Sequence, residues 1–239
     1  MAITIVGVGA VDPSIPLSAV TFAGPVLASD IVLILVEQAS LTTPEVSPSA
    51  SGFAHVLGSP VGPGSSATVL SVLWMRAAGG ETGTTVNGPS NHGVARAITV
   101  RGVKNTGNPW NVTPATSLDA AASATATWSA VTPTATDCLI CLCIATGRDA
   151  NNTANLGTVT NANLTSIAEH MDNWVATGTG GGIGLASGFK ASASSTGTST
   201  ATMGSTDGKA LMTLALEPAV VLGSSWPAYR RRQSGLYMR

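Results

Sequence analysis

Chemistry in this 239-residue chain would have to come from few side chains: three cysteines, three histidines and twelve carboxylates. The cysteines Cys138, Cys141 and Cys143 stand close together in the run Cys138-Leu139-Ile140-Cys141-Leu142-Cys143. A Cys-x-x-Cys spacing suits one half of a zinc knuckle, but a closed structural site needs four ligands and no second pair is present. The run is apolar and reads as a strand. Alternation puts Cys141 and Cys143 on one face and Cys138 on the other, where thiols serve as small hydrophobes. His55, His92 and His170 are scattered. None has a second histidine at metal-ligand spacing, and they read as surface or loop residues. No Gly-x-Ser-x-Gly elbow is present, and no Gly-Lys-Ser/Thr phosphate loop. The glycine-rich stretch 178–184 lacks the strand–turn–helix frame and following acid of a dinucleotide site. It reads as a loop or as close backbone packing. One stretch brings reactive types together: Glu169, His170, Asp172 and Trp174. Two carboxylates about 5–10 Å apart across a cleft hydrolyse glycosides, and a tryptophan can stack on a sugar. The plain alternative is a solvated loop with one packed tryptophan. No metal or cofactor is expected.

The elements that would position these residues are strands. Period-2 alternation or short β-branched runs occur at 3–8, 18–23, 31–37, 52–57, 67–76, 94–103, 124–130, 138–145, 182–189, 198–203 and 210–216. Turn chemistry separates them, with prolines at 44, 48, 60 and 63 and the Asn-Gly-Pro step at 87–89. In 69–76 both faces are mostly apolar, as for a central strand covered on both sides or a face used in subunit contact. Only 161–175 has apolar residues at helical spacing, and it reads equally as two strands around a loop. Leu118–Ala124 is alanine-rich but reads as extended or irregular. About ten strands imply an all-β, antiparallel two-sheet sandwich of jelly-roll type. No internal repeat is visible. The expected organisation is a sandwich domain over 1–218 and a C-terminal arm over 219–239.

Charged residues make up only 10% of the chain, against about 25% in an ordinary soluble protein. Residues 1–218 carry a net charge of −5 and residues 219–239 a net charge of +4. The arm holds Trp226, Tyr229, Arg230, Arg231, Arg232, Tyr237 and Arg239. Aromatics and arginine are enriched at interface centres, so these seven residues are the expected partner-binding set. The alternative is an ordinary solvated terminus. An acidic body makes nucleic acid a poor partner. The apolar stretch Ile31 to Val36 is too short to cross a bilayer. The N-terminus lacks the features of a secretory signal. Synthesis in a reducing cytoplasm is the expectation.

A set of motifs in one order resembles a diffuse family of bacteriophage and prophage virion proteins. It runs from Asp30–Val36, through the step Gly52-Phe53 and the strand end Trp74-Met75-Arg76-Ala77, to Ala97-Ile98-Thr99-Val100-Arg101-Gly102-Val103. The closing strand Ala210–Pro218 also fits. Val100 departs from the family's usual aromatic, and the basic arm lies outside its pattern. The resemblance implies a structural role and makes Arg76 and Arg101 structural residues paired with acids near strand ends. The expected protein is a non-enzymatic head decoration or cement protein. It would bind the major capsid or tail proteins as a homo-oligomer, with a trimer as the expected order. A tail-tip or fibre module is the second version, with the loop Asn108–Asn111 as a receptor contact. The rival of a different class is a carbohydrate-binding or carbohydrate-active sandwich.

Overall fold

The computed structural model describes residues 2–13, 19–38, 47–48, 52–62, 68–87, 93–121, 123–148, 155–176 and 180–220. All regular structure among them is extended. In the first half the strands are β1 (Thr4–Val8), β2 (Val20–Thr21), β3 (Ile31–Gln38), β4 (Ser47–Pro48), β5 (Ala54–His55), β6 (Val69–Arg76), β7 (Gly83–Thr84), β8 (Val86–Asn87) and β9 (Gly93–Arg101). In the second half they are β10 (Ala115–Asp119), β11 (Thr125–Trp128), β12 (Cys138–Thr146), β13 (Thr165–Val175), β14 (Gly181–Lys190), β15 (Ser199–Thr202) and β16 (Lys209–Leu216).

Two five-stranded antiparallel sheets form, ordered β1-β9-β3-β6-β5 and β10-β16-β12-β14-β13. The expected two-sheet sandwich is therefore present. Its connections differ from those of a jelly roll, in which successive strands alternate between sheets: here each half of the chain builds one sheet. The inner faces meet in one core. Leu33, Leu35, Val72 and Ile98 come from the first sheet, and Cys141, Cys143, Leu185 and Leu214 from the second.

The central strands β3 and β12 are buried at every position, so each sheet is covered on its outer face too. The cover comes from the same half of the chain. In the first half, β1 runs parallel to β3 and β6 parallel to β9, which requires crossover connections. Here the crossovers are extended. They pair as the ribbon β2–β7 and drop Val20, Phe22 and Val26 onto Val32, Ile34 and Leu73. In the second half the ribbon β11–β15 brings Ala126, Trp128 and Ala201 onto Cys138, Ile140, Leu142 and Ala215. The two-sided apolar character of β6 thus reflects cover by the chain itself.

The two sheets are the same sheet built twice. Numbering the main strands of each half one to five, both have the order 1-5-2-4-3. Their registers agree residue for residue. β3 pairs with β6 from Ile31↔Arg76 to Gln38↔Val69, and with β9 from Ile31↔Val100 to Gln38↔Gly93. β12 pairs with β14 from Leu139↔Phe189 to Thr146↔Gly182, and with β16 from Leu139↔Leu216 to Thr146↔Lys209. Equating these windows also places Ser29, at φ 72°, on Asp137, at φ 57°. Both are left-handed residues that turn the chain into the central strand. A structural repeat therefore exists where the sequence shows none. Equivalent core positions such as Leu35 and Cys143, or Glu37 and Ala145, share a direction and not an identity, because packing selects for apolar volume more than for residue type.

The halves join at one end of the sandwich. Beyond β9 and β16 the chain pairs across the sheets: Lys104 N–H donates to Glu217 O at 2.7 Å and Ala219 N–H to Gly102 O at 2.8 Å. A Lys104–Glu217 ion pair at 3.1 Å lies beside them. Exposed sheet edges invite pairing with other chains. Here two are irregular: β1 shifts register between Ile5 and Gly7, and β13 shifts twice.

The strand β14 depends on its glycines. A Cβ on Gly182 would collide with the Trp174 ring, which is itself buried in the outer core. Gly182→Ala is expected to destabilise the protein by about 1–3 kcal/mol, the usual cost of overpacking, measured as a lower urea midpoint with unchanged slope.

Candidate functional site

Glu169, His170, Asp172 and Trp174 all lie on the edge strand β13, and a bulge sets His170 apart from the other three. The register shift between Glu169 and Met171 leaves His170 as the extra residue. Met171 points into the inner core. His170 Nε2 lies 2.8 Å from the Ser187 hydroxyl on β14. Glu169 lies on the other side of the strand. It lines a cleft of about 450 Å³ with Leu156, Val159 and Ile167. The Asp172 side chain is buried; its Oδ2 accepts the N–H groups of Asn155 at 2.9 Å and Leu156 at 3.2 Å. Its Oδ1 is buried with no hydrogen-bond partner among the described residues.

Burial pushes the Glu169 carboxyl above its usual range, and the nearby Asp172 charge pushes it further. Burial also raises Asp172, opposed by its two backbone donors. Such shifts suit an acid catalyst, and the two carboxylates share the outer face of β13, opposite Ala186 and Gly184, but Asp172 is buried and held by two backbone donors. Trp174 is buried, and its Nε1–H donates to Thr146 Oγ1 at 3.2 Å. It offers no face to a sugar, so the stacking platform allowed by the sequence is not formed. Glu169 stands in its cleft without a second carboxylate among the lining residues.

The His170–Ser187 pair was not legible in the sequence, because seventeen residues separate the two. Nucleophile and base do lie within hydrogen-bond reach. Ser187, however, is only 4% exposed and sits mid-strand, paired with Cys141 on one side and Ala168 on the other. Among the described residues no carboxylate hydrogen-bonds the other ring nitrogen. Burial lowers the His170 pKa, which keeps the imidazole neutral as a partner for the hydroxyl. The pair ties the edge strand to its neighbour.

The cysteines lie as alternation required, Cys141 and Cys143 in the inner core and Cys138 in the outer one. Burial pushes Cys138 up to about 11 and Cys141 up to about 12, and Cys143 also rises. None is a ready nucleophile or ligand. No group of three or more metal-ligating side chains occurs among the described residues.

Arg101 grips both oxygens of Asp30, with Nε at 2.9 Å and Nη2 at 2.7 Å. Asp30 is 2% exposed and also accepts Leu27 N–H. This pair locks the turn before β3 to the end of β9. Arg76 has no carboxylate partner among the described residues; its Nη2 donates to Gly107 O at 3.0 Å. Trp110, placed by the sequence in a receptor loop, is 9% exposed and stacks edge-on against Trp74 at 5.4 Å. It belongs to the inner core. His55 is partly buried and bonds Ser59 Oγ at 3.2 Å. His92 lies outside the described residues, and so do Trp226, Tyr229, Arg230, Arg231, Arg232, Tyr237 and Arg239.

A groove of about 570 Å³ lies at the end where the halves join. Its walls include Ile3, Phe189, Ala191 and Pro218, with Asp137 and Thr165 as polar neighbours. A smaller cleft of about 280 Å³ lies at the equivalent place in the first half, lined by Ser29, Asp30, Arg101, Gly102 and Val103. Ala219 borders both. The chain therefore leaves the body between two related depressions. Comparison of the chain with protein-family models, curated proteins and solved structures finds no match in any of the three.

The lowered His170 pKa fixes the sign of a pH effect. The unfolded imidazole binds its proton near pH 6.5, and the folded one only at lower pH. Stability is complete above that range and falls as pH drops through the folded pKa. Urea titrations from pH 7.5 to 5 should show a shallower loss in His170→Gln than in the parent chain. Equal slopes would remove His170 from the linkage.

Proposed function

We propose that the chain is a non-enzymatic structural module of a bacteriophage particle, acting as a capsid decoration or cement protein. In this reading it is made in the bacterial cytoplasm and joins the virion. There it contacts other copies and the major capsid or tail proteins through its sandwich and its C-terminal arm. The observation that carries the reading is the groove at the arm's root. An acidic body of low charge density ends in an apolar depression, and a basic, aromatic segment begins there. Residues with catalytic potential support it from another side: the His170–Ser187 pair and the three thiols serve the packing of the sheets. The motif order from Asp30 to Val103 adds the virion context by resemblance.

The test is binding to particles of the phage that encodes the chain. All three cores lie within residues 3–216. A protein ending at Val220 is therefore expected to keep its melting transition and to lose co-sedimentation with particles. Undiminished co-sedimentation would overturn the arm's role. Band intensities then separate the two structural versions, since a cement protein is present in tens to hundreds of copies and a tail-tip module in few.

The cleft beside Glu169 favours one rival, a carbohydrate-binding or carbohydrate-active sandwich. A glycan panel scored for both binding and turnover is expected to show no turnover. Turnover that disappears in Glu169→Gln would replace the structural reading with an enzymatic one.

A further inference from the structure

We propose that residues 226–229 of the same chain occupy the groove lined by Ile3, Phe189, Ala191 and Pro218. The first argument is the path of the chain. Ala219 N–H is held by Gly102 O, Pro218 and Ala219 form part of the groove wall, and Val220 is 76% exposed. Nineteen residues follow Val220. Trp226 lies six residues on, an extended reach of about 20 Å. Between them stands Gly223-Ser224-Ser225, residues suited to reversing the chain.

The second argument is chemical fit. The walls are apolar, as an indole ring requires. Thr165 and Asp137 stand at the groove as acceptors for the Trp226 N–H or the Tyr229 hydroxyl, polar handles that seek partners when buried. Asp137 is exposed and acidic, and Arg230, Arg231 and Arg232 follow directly on Tyr229. The −5 body and +4 segment are complementary in sign. The other four tryptophans, Trp74, Trp110, Trp128 and Trp174, already have seats in the inner and outer cores.

The third argument is the tether. A short linker sets an effective concentration in the millimolar range, so even a weak aromatic contact is occupied within one copy before a second copy competes. Seated this way, the segment becomes a fixed ridge on the end of the sandwich. The inference deepens the arm reading above by naming the surface that holds the arm's root, and it stands or falls separately from the virion context.

The experiment uses the full chain labelled with 5-fluorotryptophan, with the Trp226 fluorine resonance assigned by its loss in Trp226→Phe. Broadening by a soluble paramagnetic agent reads its exposure. Trp226 is expected to be broadened several-fold less than free 5-fluorotryptophan, by the same amount in dilute and concentrated samples. The exposed Ala191, replaced as Ala191→Arg, puts a like charge and added bulk into the groove. This change should release Trp226 to full broadening while the other four resonances stay dispersed. Three results overturn the proposal: full exposure in the parent chain, protection that survives Ala191→Arg, or protection that grows with protein concentration, which would place the segment in a second copy. Protection of Trp226 without particle binding would leave this inference standing and remove the virion reading. Particle binding with Trp226 fully exposed would do the reverse.

Discussion

The constraint on which the structure depends is that neither sheet has a face available to water along its central strands. β3 and β12 are buried at all of their positions. Burial contributes roughly 25 cal/mol per Å² of apolar surface, but two-sided burial demands a layer on each side. With no helix among its described residues, the chain finds those layers in its own crossovers. The ribbons β2–β7 and β11–β15 cover the outer faces, and the other sheet covers the inner one. Four layers result from two sheets and two ribbons.

The same solution appears twice. Each half has the order 1-5-2-4-3, the same eight-residue register at its centre, and a crossover ribbon on its outer face. The departures from equivalence are instructive. Glu37 faces the inner core and accepts the Thr68 hydroxyl at 3.1 Å, whereas its counterpart is Ala145. A Cβ on Gly181 would strike the Glu37 carboxylate. Arg96 reaches from β9 to Asn173 Oδ1 at 2.7 Å on the opposite sheet, where its counterpart is Met212. Polar contacts between the sheets thus break the likeness of the halves and fix how one sits on the other. Such contacts specify an arrangement more than they stabilise it.

Reactive side chains follow the same logic. His170 spends its Nε2 on the Ser187 hydroxyl, Trp128 donates its indole N–H to Cys143 O at 2.8 Å, and Lys209 is enclosed by Asp119, Ser123 and Asp207. They tie the edge strand β13, the covering ribbon and the start of β16 to their neighbours. The end where β9 and β16 run on and pair is different. There the walls are apolar and the space is open, and the sequence that follows is basic where the body is acidic.

By itself the sequence determined that the chain is all strand, where most strands run, and which cysteines share a face. These are local properties: period-2 alternation and turn residues act over a few neighbours. It concealed β13, because the first half of that strand is exposed and two irregularities break the alternation. It concealed the repeat, because equivalence lies in register and direction while the residues differ. It misplaced Trp110, since an aromatic in a polar stretch reads as exposed until its long-range neighbour Trp74 is known. Only the tertiary structure decided which strands pair, which half builds which sheet, and where the chain leaves the body. Those choices join residues far apart along the chain, and the energy that selects among them arises only when both partners are in place.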